Sequence, residues 1–248
     1  SRGGVQGVFL IADADVPKHR ELIVPALGDR GLERLPVPLP GVDLLRPVED
    51  QPAASLAEWA DVLHVVRNAL SNYDDTLMPT FADAWLAAPD EPVQFCDAFT
   101  RARTAAEAAL GLDGLHQVRL SALCDTRAFR AFVAHLLLHA PQAAADYNAA
   151  QAEYRARHHV HSPLRPVPPL AVEGVRVETP FWAHRAGAPR RRLFVSDAGA
   201  MLRLDAEGTP IGGLSKTHAA DAANHTAPWE LEVAGWHVRP RALTVSGF

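Results

Sequence analysis

The side chains best suited to chemistry begin with Asp13 and Asp15, which follow directly on a largely apolar run, Val5 to Ala12, β-branched at Val5, Val8 and Ile11. Such a run suits a strand covered on both faces of a parallel sheet. Open α/β sheets gather ligand groups at the carboxyl ends of their strands, because the strand ends and the loops that follow form a crevice. Two carboxylates two residues apart at that point suit Mg²⁺, or hydrogen bonds from a ribose or an amine. The plainer use of the two aspartates is to solvate the strand-to-loop turn and to cap the next segment.

His135 and His139 stand at i and i+4, the helical spacing that lets two imidazoles meet one metal ion, and His158, His159 and His161 are denser still. A metal-dependent hydrolase is the chemistry these would support. Leu136, however, occupies the place where a metalloprotease motif carries its Glu, and carboxylates are scarce around the second cluster. A helix end where protonated His complements the dipole is the simpler expectation. Gly208, Gly212 and Gly213 precede Leu214-Ser215-Lys216-Thr217, but a phosphate-binding loop needs Gly directly before Lys and Ser215 stands there. Neither Gly-x-Gly-x-x-Gly after the first strand nor Gly-x-Ser-x-Gly occurs. Neither Cys96 nor Cys124 is flanked by residues that would lower a thiol pKa. Arg190-Arg191-Arg192 is a compact positive cluster, fit for an anion or for protecting a hairpin edge.

The elements that must position these groups change character along the chain. Leu22 to Leu27 and Leu35 to Leu39 are cut by Pro25, Pro36, Pro38 and Pro40, which predicts edge strands or extended loops. Ser55 with Glu58 makes a capping-box pair, and Leu56, Trp59, Leu63, Val66 and Leu70 recur at helical spacing up to Ser71-Asn72. A second, shorter helix is expected around Phe81 to Leu86 and a third from about Pro92 to Leu110, with Gly111 as a stop. Val118 to Leu123 is ambiguous. Asp125 is the expected N-cap of a helix carrying Phe129, Phe132, Leu136 and Leu137, and Pro141 opens another through Tyr147 and Tyr154. Ser55 to Arg157 thus reads as five helices. Four prolines between His158 and Pro169 mark an internal boundary. Beyond it, Val175 to Trp182, Arg192 to Ser196 and Met201 to Leu204 read as strands, with Asp197-Ala198-Gly199 as a hairpin loop and Trp229 to Val238 as a further strand.

With 248 residues, 48% hydrophobic and 21% charged, the chain is long enough for one large domain or two small ones, and too apolar for disorder. Its 24 Lys and Arg against 29 Asp and Glu give a net charge of -5, the wrong sign for neutralising phosphate backbones, so nucleic acid is excluded as a first expectation. No run approaches the roughly 18–20 apolar residues of a membrane span. Two cysteines are too few for a disulfide framework or a four-thiolate zinc site, which suits a reducing, cytoplasmic setting.

Five segments resemble, in order, those of a family of uncharacterised bacterial proteins that is in turn similar to the cysteine ligases of bacillithiol biosynthesis. They are Val8-Phe9-Leu10-Ile11-Ala12-Asp13-Ala14-Asp15-Val16-Pro17-Lys18, Ser162-Pro163-Leu164-Arg165-Pro166-Val167-Pro168, Val177-Glu178-Thr179-Pro180-Phe181-Trp182, Arg190-Arg191-Arg192-Leu193-Phe194 and Val238-Arg239-Pro240-Arg241-Ala242-Leu243-Thr244. The resemblance implies a Rossmann-like core with a nucleotide or amino-acid pocket, a helical insertion, and the joining of an amine to a carboxyl compound. It places Asp13 and Asp15 at the crevice and brings Arg239, Arg241 and Thr244 into the returning part of the fold. The family's Gly-His-Gln-Pro and His-Gly-Ile-Gly-Gly segments have no counterpart here, and Ser1-Arg2-Gly3-Gly4 runs into the first strand without an initiating Met. A fragment, or a short homologue without activity, is therefore expected.

The expectation as a whole is an α/β protein with three regions. Residues 1–50 begin a Rossmann-like core, 51–160 form a helical region, and 161–248 hold a Pro-rich linker, a small β-hairpin subdomain and a return toward the core. Its ligand is a small amino-bearing molecule or a nucleotide with Mg²⁺, held by Asp13, Asp15, Arg239, Arg241 and Thr244. No nucleic acid and no membrane are expected as partners. The alternative is a non-catalytic interaction module whose helical third packs on a partner or forms a homodimer.

Overall fold

A computed structural model describes residues 7–29, 31–71, 73, 77–87, 92–112, 115–161, 168–225 and 235–241. They form two units, one up to Leu120 and the other from Ser121 on. The division falls inside the stretch expected to be one helical region. Of the Pro-rich segment expected as the boundary, 162–167 lie outside the described residues. No helix among the described residues is long and apolar enough to cross a membrane.

In the first unit β1 (Val8–Ile11) is followed by an antiparallel ribbon of β2 (Glu21–Gly28) and β3 (Gly31–Pro38). In a ribbon two strands wide both strands are edges, which is why Pro25, Pro36 and Pro38 are tolerated within them. Helix α1 (Leu56–Ala69) opens with the expected capping box: Ser55 Oγ accepts from the Glu58 N–H at 3.2 Å, and Glu58 Oε2 accepts from the Ser55 N–H at 2.9 Å. Its Trp59, Val62, Leu63 and Val66 are buried with Val24 and Val37 of the ribbon, Ala82 and Trp85 of α2 (Met78–Leu86), and Ala98 and Ala102 of α3 (Phe95–Ala109). Trp59 and Trp85 meet with ring centroids 4.8 Å apart. Arg101 of α3 donates to the Ala84 and Trp85 carbonyls at 2.7 and 3.0 Å, satisfying the exposed carbonyl end of α2.

The ambiguous stretch after Leu115 divides in two. His116–Arg119 is β4, parallel to β1 with Val8 opposite His116 and Ile11 opposite Arg119, and Leu120–Cys124 is a short helix, α4. Among the described residues six helices, not five, therefore lie between Ser55 and Arg157. The β1–β4 pair is the parallel part of the fold among the described residues, so the chain is of mixed α/β class.

The second unit holds α5 (Arg127–Leu138) and α6 (Ala140–Arg157), then strands β5 (Val172–Glu173), β6 (Arg176–Arg185), β7 (Arg191–Ala198), β8 (Met201–Ala206) and β9 (Thr209–Ser215), helix α7 (Lys216–Ala223) and β10 (Trp236–Pro240). The N-cap of α5 is Thr126 rather than Asp125, its hydroxyl accepting from the Phe129 N–H at 3.3 Å. The expected small hairpin subdomain is larger than foreseen: a six-stranded antiparallel sheet of order β10-β6-β7-β8-β9, with β5 added to β6. Alternate residues of the sheet, among them Val177, Leu193, Val195, Leu202 and Leu204, join Val133, Leu137, Ala144, Ala219 and Ala222 of the helices in one core. The β7–β8 turn needs Gly199, whose φ is +75°, and its N–H donates to Asp197 Oδ1 at 3.0 Å.

On the sheet's other face Arg176 grips Asp205 with two hydrogen bonds, Nε to Oδ2 at 3.0 Å and Nη2 to Oδ1 at 2.7 Å, while its guanidinium carbon lies 3.6 Å from the Phe194 ring centroid. Burial pushes the Asp205 carboxyl up, but the Arg176 hydrogen bonds, the Gly208 N–H and the Arg176 charge outweigh it and hold the group below the usual carboxylate range. A depressed acid stabilises the fold fully above its unfolded value of about 3.9, and that stabilisation is lost as pH falls through the lower folded value. Denaturant unfolding below about pH 4 will therefore show a loss of stability with falling pH that Asp205→Asn reduces. In the core, Leu137→Ala will cost ~2–5 kcal/mol, and Ser55→Ala ~1 kcal/mol, by the same measurement at neutral pH.

Candidate functional site

At the carboxyl end of β1 the chain turns at once: the Asp13 N–H donates to the Ile11 carbonyl at 2.9 Å and the Asp15 N–H to the Ala12 carbonyl at 3.2 Å. The carbonyls of Asp15 and Asp13 then accept from the N–H groups of Val48 and Glu49, each at 2.8 Å, which docks a 3₁₀ turn, Val48–Asp50, onto the strand end. These are helix-start donors that have no partner within their own turn. Asp13 is 1% exposed, and Asp15 Oδ1 accepts from the Val16 N–H at 2.9 Å.

The loop leading into the 3₁₀ turn is closed by Gln51, itself buried. Its Nε2 donates to the carbonyls of Asp43 at 2.8 Å, Arg46 at 2.7 Å and Pro47 at 3.3 Å, and its Oε1 accepts from the Asp43 N–H at 2.8 Å. Beside it Arg46 pairs with Asp50, Nε to Oδ2 at 3.2 Å. From α3 come Cys96, whose thiol donates to the Val48 carbonyl at 3.7 Å, and Asp97, which pairs with Arg119 at the carboxyl end of β4. A concavity of about 340 Å³ results, lined by Arg46, Glu49, Gln94, Cys96, Asp97 and Arg119 among others.

The strand-end reasoning thus leads to a concavity, but through other side chains than those expected. Asp13 and Asp15 are not among its lining residues; their backbone forms its support. The groups sequence reasoning missed are Arg119, Asp97 and Arg46. Arg119 was within reach, because it ends the second strand of the parallel pair as Asp13 follows the first, and only the ambiguity of Val118 to Leu123 concealed it.

Burial first, and then the negative charge of Asp13, push the Cys96 thiol up to about 12. It stays protonated at neutral pH and is no nucleophile. The turn after β1 offers a nucleotide little: it has no glycine, and two aspartates stand where phosphates would need N–H groups. Mg²⁺ also fits poorly. Asp13 is sealed from solvent, and no three of His, Cys, Asp and Glu among the described residues are grouped so as to hold a metal ion.

The remaining expected groups lie in the second unit. Arg239 pairs with Asp125 at 3.5 Å and Arg241 with Glu178 at 2.8 Å, while Thr244 lies outside the described residues. His135 and His139 have ring centroids 4.8 Å apart, and His158 lies 4.4 Å from the Tyr154 ring. Arg190 lies over Trp182, Arg191 donates to Thr209, and Arg192 pairs with Glu207. Gly208 turns β8 into β9, Gly212 and Gly213 lie within β9, and Ser215 caps α7 by accepting from the His218 N–H at 3.1 Å. That helix was not expected, since a short Ala-rich segment carries little periodicity.

Comparison of the chain with protein-family models and with curated proteins gives no match.

With both cysteines buried and Cys96 held protonated, an aromatic disulfide reagent at pH 8 will find neither thiol in the folded protein and both in denaturant. Gln51→Ala, which strips two backbone carbonyls and one N–H of their short contacts, will cost ~1–3 kcal/mol in the same preparation's unfolding free energy.

Proposed function

We propose that this chain is a small-ligand-binding protein of the cysteine-ligase-like type, built on a Rossmann-like core, that holds an amino-bearing molecule in the concavity at the carboxyl ends of β1 and β4. The observation that carries the reading is the pairing of signs around that concavity: guanidinium groups of Arg46 and Arg119 beside the carboxylates of Glu49, Asp50 and Asp97. An amino acid is a zwitterion. Its carboxylate suits a guanidinium fork, its ammonium suits the facing carboxylates, and neither end is left unpaired on binding. The two ion pairs already present are partly exposed, so each is worth little by itself and its partners are available to a ligand at small cost.

The strand-end position supports the same reading, since parallel strands place ligand groups where these residues stand. The reaction the resemblance points to, the joining of an amine to a carboxyl compound, would use this concavity to hold the amine. Cys96 would serve there as a polar wall and not as an attacking group.

Titration of the protein with free amino acids, and separately with nucleotides with and without Mg²⁺, tests the reading by calorimetry and thermal unfolding. A ligand present at 100 times its Kd will raise stability by about 2.7 kcal/mol. Arg119→Ala will leave the unfolding free energy within ~1 kcal/mol and weaken the ligand about tenfold or more. Absence of any shift with every amino acid tried would refute the proposal, and a shift with nucleotides alone would replace its ligand class.

A further inference from the structure

A second concavity lies on the face of the antiparallel sheet turned away from its core, and it owes nothing to the first. Along β8 the core takes Leu202, Leu204 and Ala206, so Met201, Arg203 and Asp205 stand on the opposite face. The strand register carries that face across the sheet. Arg176 of β6 lies opposite Ser196 of β7, Ser196 opposite Arg203 of β8, and Arg203 opposite Gly213 of β9. One row thus sets a hydroxyl between two guanidinium-bearing residues and ends on a residue without a side chain.

The row is open at β9 for reasons of backbone geometry. Asp205 pairs with Pro210 but Leu204 with Gly212, so β9 carries one residue more than β8 there, and Gly212 takes a φ of +134°, which disfavours a side chain. A Cβ on Gly213 would stand 3.1 Å from the Leu202 carbonyl oxygen. Both positions therefore favour glycine, and on this face the backbone of β9 is bare between Pro210 and Ser215. A hollow of about 560 Å³ results. Pro210 stands at the Asp205 end and Met201 at the other, with Ser196 and Arg203 between them along the side. Met201 is 41% exposed, and its methyl carbon lies 3.4 Å from the place of that missing Cβ.

The charged residues that line the hollow are Arg176, Arg203 and Asp205. Arg176 occupies both oxygens of Asp205, pairs with Glu173 as well, and lies over the Phe194 ring. The carboxylate of the hollow is therefore spent, and Arg203 is its uncompensated charge, with no ion pair among the described residues.

We infer that this hollow binds an aromatic monocarboxylate, its carboxylate on the Arg203 guanidinium and the Ser196 hydroxyl, its ring flat on the Gly212–Gly213 backbone between Met201 and Pro210. A guanidinium fork matches the two oxygens of a carboxylate. A single excess positive charge is met by a monoanion, whereas a dianionic phosphoryl group would stay half neutralised. A bare peptide floor accepts a flat body that side chains would lift away, and a flexible thioether packs well against an aromatic edge. The volume is that of a small-molecule site.

The full chain, titrated by calorimetry at constant ionic strength with 2-naphthoate, acetate and 2-naphthalenemethanol, tests the inference. The naphthoate will give a saturable heat, and acetate, which lacks the ring, and the alcohol, which lacks the charge, will each bind about tenfold or more weakly. Arg203→Gln will weaken the naphthoate about tenfold or more, and Ser196→Ala several-fold, both with the melting temperature unchanged. Arg34→Gln, which deletes an exposed guanidinium of β3 in the first unit, will leave the affinity unchanged. No saturable heat with the naphthoate, equal binding of acetate or of the alcohol, or an affinity that Arg203→Gln does not alter overturns the inference.

Discussion

Two backbone hydrogen bonds, from Val48 to the Asp15 carbonyl and from Glu49 to the Asp13 carbonyl, tie a distant 3₁₀ turn to the end of the first strand. The donors are the leading N–H groups of a turn that has no carbonyls of its own to offer them, and the acceptors are carbonyls released from the sheet where β1 ends. Each set needs the other to avoid being buried unmet. Once the turn is seated, Arg46, Glu49 and Asp50 are carried to one side of the strand end, and the Val48 carbonyl is left facing Cys96 of α3. The concavity is a by-product of that satisfaction of backbone polarity. Its chemistry comes from whichever side chains the turn and α3 happen to bear, which is why the conspicuous aspartates support it without lining it.

The molecule handles buried charge in three ways. Asp205 is engaged at both oxygens by Arg176, and that pair is complete. Glu178 divides its oxygens between a backbone N–H and Arg241. Cys96, near Asp13, avoids charge altogether by keeping its proton. Taking a charge out of water is expensive unless it is answered by partners, and these are three ways of meeting that cost.

Much of the fold could be read from residue spacing alone because the signals are local. The capping box at Ser55, the stop at Gly111, the Pro at the start of α6 and the Asp-x-Gly turn between β7 and β8 each depend on a few adjacent residues, and each is found where expected. The misses follow from longer-range physics. Asp125 and Thr126 are both competent caps, and only the geometry of α5 chooses the hydroxyl. Four residues of β4 and five of α4 are too short for either periodicity to declare itself, and with β4 went the one clue to Arg119. Arg46 and Asp97 are surface charges of ordinary appearance, and nothing in their neighbourhoods tells of a turn docking beside them. Side chains that look idle in a sequence acquire a role when a hydrogen-bonded loop folds over them.

The Gln51 amide spends its donors and acceptor on the backbone of its own loop. A glutamine so occupied behaves as a rivet. For the amino-bearing ligand proposed above, the rim that Gln51 fastens would have little slack to lose, so ordering would cost little and discrimination would come from stature: a molecule one or two atoms too large would meet an unyielding doorway instead of a closing hand.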